Sequence, residues 1–479
     1  MNSVNRKAAY FIKALSGPVI FLIFAAMPIG DMDYMMRGSV GILLWMLLWW
    51  IFQPIPAAAT ALLPIIAASI FQIGDLTAVL SKYFSATIVL LIGANIITLA
   101  WRKWGFDKRL SLWILLRVGT NPKKLIAIWF ILSVVLSSLI ANAVVAAALF
   151  PIVLTTLRAV GIDSEDKVAK SQYAAASLLA VSWGSTVGFG TPLGGAMNLV
   201  VIGYIEEMVI HREVMYVSWI AKCLPLVVAV SVPLLVILLT MKLEFKEIPG
   251  TKEALREEYN GLGPMNKGEI WSVSLFVIAL CLAFFRPLFA EALPTVKPEY
   301  AFLLISLICF LIPVGDEKLI TWKYVQPKLT IGVFLLIGGG TALGGILISS
   351  GVGEVVAEAI KPIVGIHPFV AALVFSVVCC VFANIMTISG SMSLVQPIII
   401  TTLSGMGINP IPFIFIANAA GNISIILPSS SAAPSMASGY GLEPAKMARM
   451  GLRAVPLCLV SAVVVGYLLY LFWPAFSIM

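Results

Sequence analysis

Three long apolar runs, Leu226 to Leu239, Ile270 to Phe285 and Leu457 to Trp473, limit what this chain can become. Polar and apolar residues do not alternate along them, so they do not read as strands of a membrane barrel, whose lipid and lumen faces swap at every residue. A helix satisfies its own backbone in hydrocarbon, and these runs read as helices. Composition agrees: 60% of the chain is hydrophobic and 11% charged, whereas soluble domains carry about 25% charged residues. The class expected is an all-α integral membrane protein with about 11 transmembrane helices, since a crossing takes about 20 residues.

The net charge of +8 does not point to nucleic acid, because the basic residues lie in short loops between spans. A positive-inside reading accounts for them. Arg6, Lys7 and Lys13 put the N-terminus in the cytoplasm, with the linker from Lys242 to Glu269 and the Lys318, Lys323, Lys328 loop on the same side. No charged side chain follows Trp473, which fits a C-terminus outside. Met1 to Lys13 is polar and basic, so the apolar run from Pro18 reads as a first span and not as a cleaved signal. The six cysteines (Cys223, Cys281, Cys309, Cys379, Cys380, Cys458) sit in apolar runs without metal-ligand spacing and read as reduced core residues.

Two apolar stretches are broken by small polar residues at matching places. Ser137-Ser138-Leu139-Ile140-Ala141-Asn142-Ala143 precedes Pro151, and Thr387-Ile388-Ser389-Gly390-Ser391 precedes Pro397. Freed backbone groups at membrane depth need partners, and such pairs of interruptions mark transporter binding sites near the midplane. Each is followed by a second interruption, Gly188-Phe189-Gly190-Thr191-Pro192 in the first half and Leu427-Pro428-Ser429-Ser430-Ser431 in the second. The division expected is an N-terminal span over 1–37, a first repeat over 38–241, a cytoplasmic charged linker over 242–269 and a second repeat over 270–479. Re-entrant helical hairpins are expected at about 85–117 and 331–361, and broken helices at about 124–156 and 368–404. An odd number of crossings per half would make the repeats inverted.

The run Leu99-Ala100-Trp101-Arg102-Lys103-Trp104-Gly105-Phe106-Asp107-Lys108-Arg109-Leu110, then Gly119-Thr120-Asn121-Pro122 and the Asn142 motif, resembles the divalent anion:sodium symporter family of di- and tricarboxylate transporters. Agreement extends from about residue 38 to the C-terminus. The family's two Ser-Asn-Thr motifs fall, without gaps, on Ala141-Asn142-Ala143 and Thr387-Ile388-Ser389. Its Thr-Pro-rich loops fall on Gly190-Thr191-Pro192 and on Ser430-Ser431-Ala432. A gapped alternative pairs Asn142 with Asn384. The resemblance implies a homodimer in a bacterial inner or plasma membrane, with a fixed scaffold domain and a transport domain that moves like an elevator. It also implies sodium ligands at or near Ser137, Asn142, Gly190, Ala383 and Thr387 if the chain is a symporter.

A carboxylate held at membrane depth needs donors, and the free N–H groups at the positive end of a half-helix provide them. Asn142 adds an amide, and Ser430 and Ser431 add hydroxyls where Pro428 stops a regular helix. The competing reading of Asn142 is a helix-packing residue between small neighbours. Ala141, Ala143 and Ile388 stand where oxygen-bearing side chains would help bind sodium, so the function expected is exchange without sodium, of the C4-dicarboxylates or 2-oxoglutarate-like acids that the resemblance implies. The alternatives are a sodium-coupled di/tricarboxylate symporter and an ion antiporter or inorganic-anion permease. The last is disfavoured because no acidic residue stands at either interruption. No cofactor is expected, and no nucleophile and base pair, metal cluster or nucleotide loop suggests an enzyme. His211 and His367 stand isolated, and the basic cluster Arg102 to Arg109 reads as a loop at the cytoplasmic surface.

Overall fold

A computed structural model describes residues 3–479 apart from 29–31, 53, 117–120, 195, 246, 248–250, 330, 353–361, 363–366 and 386–387. The described residues are predominantly helical. Among the described residues the one sheet is a ribbon pairing Pro313–Val314 with Glu317–Lys318 around Gly315, whose φ of 61° a glycine adopts freely. Among the described residues five helices are long and apolar enough to cross a bilayer by themselves: Pro122–Leu139, Tyr216–Thr240, Lys267–Phe284, Pro368–Ile385 and Pro444–Phe472. Shorter apolar helices, among them Pro298–Cys309 and Ile411–Gly421, lie between them.

Four arms of equal length organise the centre. Pro122–Leu139 is followed by Asn142–Ala159, and Pro368–Ile385 by Ile388–Gly405, each of 18 residues. The ungapped register therefore holds from Pro122 against Pro368 to Pro151 against Pro397. The breaks fall where small polar residues interrupt the apolar runs.

The course of the chain through the second break differs from a simple broken helix. Along one rod Cys379 and Ser391 would be about 18 Å apart at 1.5 Å per residue. Instead Ser391 Oγ donates to Cys379 O at 2.8 Å, and Cys379 Sγ lies 3.9 Å from Met392 Sδ. The arms fold back on each other, so the segment at about 368–404 is a helical hairpin. In the first pair, likewise, both arms pack on one helix, Gln172–Thr186, as both arms of the second pack on Ile411–Gly421.

Those two shared helices form the core. Every residue from Tyr173 to Thr186 and from Ile411 to Gly421 is buried, as suits helices without a polar face. Small residues allow the close approach: a β carbon on Gly184 would lie 2.6 Å from Phe130 O.

The stretch expected as a hairpin at about 85–117 is a pair of helices, Ala86–Trp104 and Phe106–Leu115, hinged at Gly105 with φ 77°. Ala86–Trp104 packs on Lys267–Phe284 and Pro298–Cys309, whereas Phe106–Leu115 packs on Thr251–Gly261 and Asn142–Ala159. Of the stretch at about 331–361, Ile331–Ser349 is a helix, and 353–361 lie outside the described residues.

The charged linker is anchored from within. Arg109 sends Nε to Glu269 Oε1 at 2.9 Å and Nη1 to Gly263 O at 2.7 Å, with both side chains buried. Lys108 pairs with Glu258 at 2.7 Å and Lys103 with Glu317 at 3.0 Å. The basic cluster is thus held by carboxylates of the linker and of the loop at Glu317, which accounts for its charge without any substrate.

Candidate functional site

At the tip of the first hairpin Ile140 and Ala141 are non-helical, with ψ of 163° and 134°. Asn142 then opens the second arm with no side-chain cap. Ala141 O accepts from Val144 N at 2.9 Å and Val145 N at 3.2 Å. The N–H groups of Asn142 and Ala143 are left without a protein partner among the described residues, as the first turn of any uncapped helix leaves them.

Oxygens crowd beneath this tip. Ser137 Oγ lies 2.6 Å from Ser185 O and 2.7 Å from Asn142 Oδ1. With the Asn142 amide in this orientation one hydroxyl proton faces two acceptors, whereas the reversed amide would donate to Ser137 Oγ. Asn142 Oδ1 faces Ser137, and its Nδ2 has no protein partner among the described residues.

The first loop is clamped onto this tip. Thr191 Oγ1 donates to Ser138 O, and Asn198 Nδ2 reaches the carbonyls of Phe189 (2.8 Å), Thr191 (2.7 Å) and Gly194 (2.6 Å). A β carbon on Gly188 would stand 2.5 Å from Ser137 Cβ, and one on Gly194 2.4 Å from Gly188 O, so the loop touches the hairpin backbone only because these residues are glycine. Gly190 is less constrained, with Ser138 Oγ nearest at 3.2 Å. Pro192 is buried and Thr191 half-buried.

The second tip is held differently, by a residue that the sequence offered only as a gapped partner for Asn142. Asn384, at the position equivalent to Ser138, donates to Cys380 O (2.9 Å) and Ile423 O (2.7 Å) and accepts from Ile425 N (3.0 Å) and Ile426 N (3.1 Å). Its amide is fully used, so it fastens the loop and has nothing left for a ligand. Ser424 Oγ adds a bond to Ala383 O at 2.7 Å. Ile388 is 7% exposed. Thr387 lies outside the described residues, as does the side chain of Ser389.

The two loop serines part company. Ser430 turns inward, donating to Leu427 O at 2.7 Å and lying 3.1 Å from Ser424 O. Ser431 precedes the helix Ala432–Gly439 without capping it, and its buried Oγ has no partner among the described residues. Ala432 is exposed.

The halves meet by exchanging their loop helices. Ala432–Gly439 packs on Asn142–Ala159, with the Tyr440 and Phe150 rings 5.4 Å apart. Gly441 comes next to Glu165 and Val168, beyond the C-terminal end of that arm. The C-terminal end of Ala432–Gly439 is thus fixed against the middle of Asn142–Ala159 and the start of Glu165–Lys170. Reciprocally, Ala196–Ile205 packs on Ile388–Gly405, and Tyr204 OH donates to Ser393 O at 3.1 Å. A buried bond from Asn418 Nδ2 to Asn198 Oδ1 at 3.2 Å joins the two sides. Ala141, Asn142, Ala143, Gly190, Thr191 and Pro192 are thus assembled at one tip, and a helix from the other half packs on the arm that Asn142 opens.

The chain is similar to known proteins over nearly its whole length. The family described as the sodium:sulfate symporter transmembrane region matches residues 8–479. A protein of Staphylococcus saprophyticus named sodium-dependent dicarboxylate transporter SdcS is 26% identical over 473 residues, covering 95% of this chain and 90% of that one. Its namesake in Staphylococcus aureus is 24% identical over 483 residues, covering 98% and 92%. Among solved structures, the YdaH transporter of Alcanivorax borkumensis superposes with a TM-score of 0.52 at 14% identity, covering 97% and 98%. MtrF of Neisseria gonorrhoeae, described within a class of antimetabolite efflux pumps, gives 0.55 at 15% identity, covering 94% and 97%. With these two the likeness is one of fold alone.

Proposed function

The chain belongs to the divalent anion:sodium symporter family, integral membrane transporters and not enzymes, and from that premise we propose that it carries a dicarboxylate across the membrane together with sodium. The observation that carries this reading is the crowding of Ser137 Oγ, Ser185 O and Asn142 Oδ1 around one proton. Hard cations take several oxygen ligands. A sodium ion at Ser137, Asn142 and the neighbouring Gly190 would draw on these clustered oxygens, and it would hold Asn142 with Oδ1 inward and Nδ2 turned to the substrate. The names of the curated relatives favour coupling over the sodium-free exchange expected from the motif side chains.

In this reading the substrate is a C4-dicarboxylate or a 2-oxoglutarate-like acid. One carboxylate meets Asn142 Nδ2 and the N–H groups of Asn142 and Ala143; Ser431 Oγ and the N–H groups of Ala432 approach from the other half. Thr191 and Pro192 form the wall beneath, and Thr387, Ile388 and Ser389 are the matching motif positions of the second half. Sodium raises the affinity for substrate and substrate raises that for sodium, by the same factor. We further propose that the two halves are inverted repeats, that the hairpins are re-entrant and move with their loops as one transport unit, that the chain works as a homodimer in a bacterial inner membrane, and that its N-terminus is cytoplasmic and its C-terminus outside.

The test is uptake of labelled succinate into proteoliposomes. Uptake should rise with external sodium, need no internal substrate and fall to background in choline. The second reading, obligatory exchange, rests on Ala141, Ala143 and Ile388. Equal uptake in sodium and choline, and only by vesicles preloaded with dicarboxylate, would establish it instead.

A further inference from the structure

Far along the sequence from the two tips, the helices Tyr216–Thr240 and Pro444–Phe472 pack together, with Ser461 Oγ donating to Ala229 O at 2.7 Å. Both leave apolar side chains uncovered, including Val232 and Val236 on one and Leu457 and Val460 on the other. These stripes run into a cleft of about 450 Å³ whose lining joins two chemistries. Ile237, Met450 and Leu457 are apolar; Lys242 and Arg453 are cationic. Met450, Arg453 and Leu457 are spaced to share one face of their helix.

Neither Lys242 nor Arg453 has an ion-pair partner among the described residues. Glu244 is committed elsewhere, accepting from the backbone N–H groups of Gln172 and Tyr173. Lys446, one turn before Met450, gives its ammonium to Ser171 O at 3.2 Å and has Glu244 and Glu443 nearby. The lining cations thus make no direct ion pair among the described residues, at the point where an apolar stripe reaches the charged linker.

We propose that this cleft holds one anionic phospholipid, its phosphate against Arg453 and Lys242 and an acyl chain along Leu457 and Ile237. A soluble anion would leave the apolar half uncovered, and an uncharged lipid would leave the cations unpaired. Only a molecule anionic at one end and apolar at the other matches both. The lipid would brace the two helices at one end.

The experiment follows thermal unfolding of the purified chain in detergent during titration with phosphatidylglycerol, with lipid counted by native mass spectrometry. Phosphatidylcholine, glycerol 3-phosphate and inorganic phosphate are the controls. The expected result is a saturable stabilisation by phosphatidylglycerol that phosphatidylcholine does not match and the soluble phosphates do not give. The K242Q/R453Q variant should unfold as the wild type does without lipid and bind phosphatidylglycerol about tenfold or more weakly, from about 1 kcal/mol per basic residue near a membrane surface. Leu457→Trp, which fills the apolar half with both cations intact, should lose the effect too, and it decides the matter if the double variant fails to fold. Equal stabilisation by the two lipids, wild-type phosphatidylglycerol affinity in either variant, or reproduction by inorganic phosphate would overturn the proposal. Stabilisation that follows protein concentration and not lipid would overturn it in favour of a second copy.

Discussion

Asn384→Leu and Asn142→Ala should have opposite effects, although both remove an asparagine beside a hairpin break. In Asn384→Leu the Ile425 and Ile426 N–H groups lose their acceptor, while Ile423 O keeps a weak contact with Cys380 Sγ at 3.9 Å. Ile425 is fully buried and Ile426 half-buried. An unsatisfied buried group costs about 1–3 kcal/mol, so the substitution should cost about 2–4 kcal/mol in all. Asn142→Ala removes an amide that is half-exposed and donates to no protein group, so stability should change by less than about 0.5 kcal/mol, as at unencumbered positions. A lost bond to a carboxylate is worth about 1.5–3 kcal/mol, which is a 10- to 150-fold drop in dicarboxylate affinity. Thermal unfolding with and without succinate, in sodium buffer, reads both quantities on one sample. The reasoning is refuted if Asn384→Leu keeps wild-type stability and loses succinate binding, or if Asn142→Ala binds succinate as the wild type does.

Three further outcomes follow from the same geometry. Ser431→Ala should leave stability unchanged or slightly raised and weaken succinate binding several-fold, whereas Ser430→Ala should lower stability by about 1 kcal/mol, the value of an ordinary hydrogen bond, with titration calorimetry separating the two. Gly188→Ala, whose methyl would fall 2.5 Å from Ser137 Cβ and 2.8 Å from Ser137 C, should cost about 1–3 kcal/mol by overpacking and abolish uptake, and recovery of uptake at lower temperature would argue against a distorted tip. Glu206 lies at the end of the helix Ala196–Ile205, outside the membrane-spanning helices, and burial pushes its carboxyl up to about 7 from an ordinary 4.5. Such a group stabilises the fold while protonated, so stability should fall as pH rises from about 4.5 to 7 and level off above that; Glu206→Gln should unfold at a higher temperature than the wild type at pH 8 and at the same temperature at pH 4.5.

Much of this was legible from residues. Long apolar runs gave the helices, and the stretches from Ser137 to Ala143 and from Thr387 to Ser391 marked the breaks because small or polar residues there have no use in lipid. The ungapped register could be set from Pro151 and Pro397. What stayed hidden depends on direction. Local pattern says where a helix stops but not whether the next arm continues or reverses, so the Cys379 to Ser391 contact had no signal. Ser430 and Ser431 are chemically alike, and only the turn at Pro428 points one inward. The oxygen count at the first tip was too low because Ser185 O comes from a residue far along the chain. A backbone carbonyl leaves no mark in a sequence, whereas Ala141 and Ile388 are conspicuous.

The exchange of loop helices between halves constrains how the chain is made. Asn142 leaves the ribosome long before Ser431, and the first arm waits with the face that Ala432–Gly439 will cover still open. Neither tip is complete until both loops exist, so the site matures in one late step and not half by half. Interruption of synthesis between Gly421 and Tyr440 would leave inserted helices whose first hairpin has an uncovered side. Such a product offers surface to chaperones and membrane proteases and has no working half to spare.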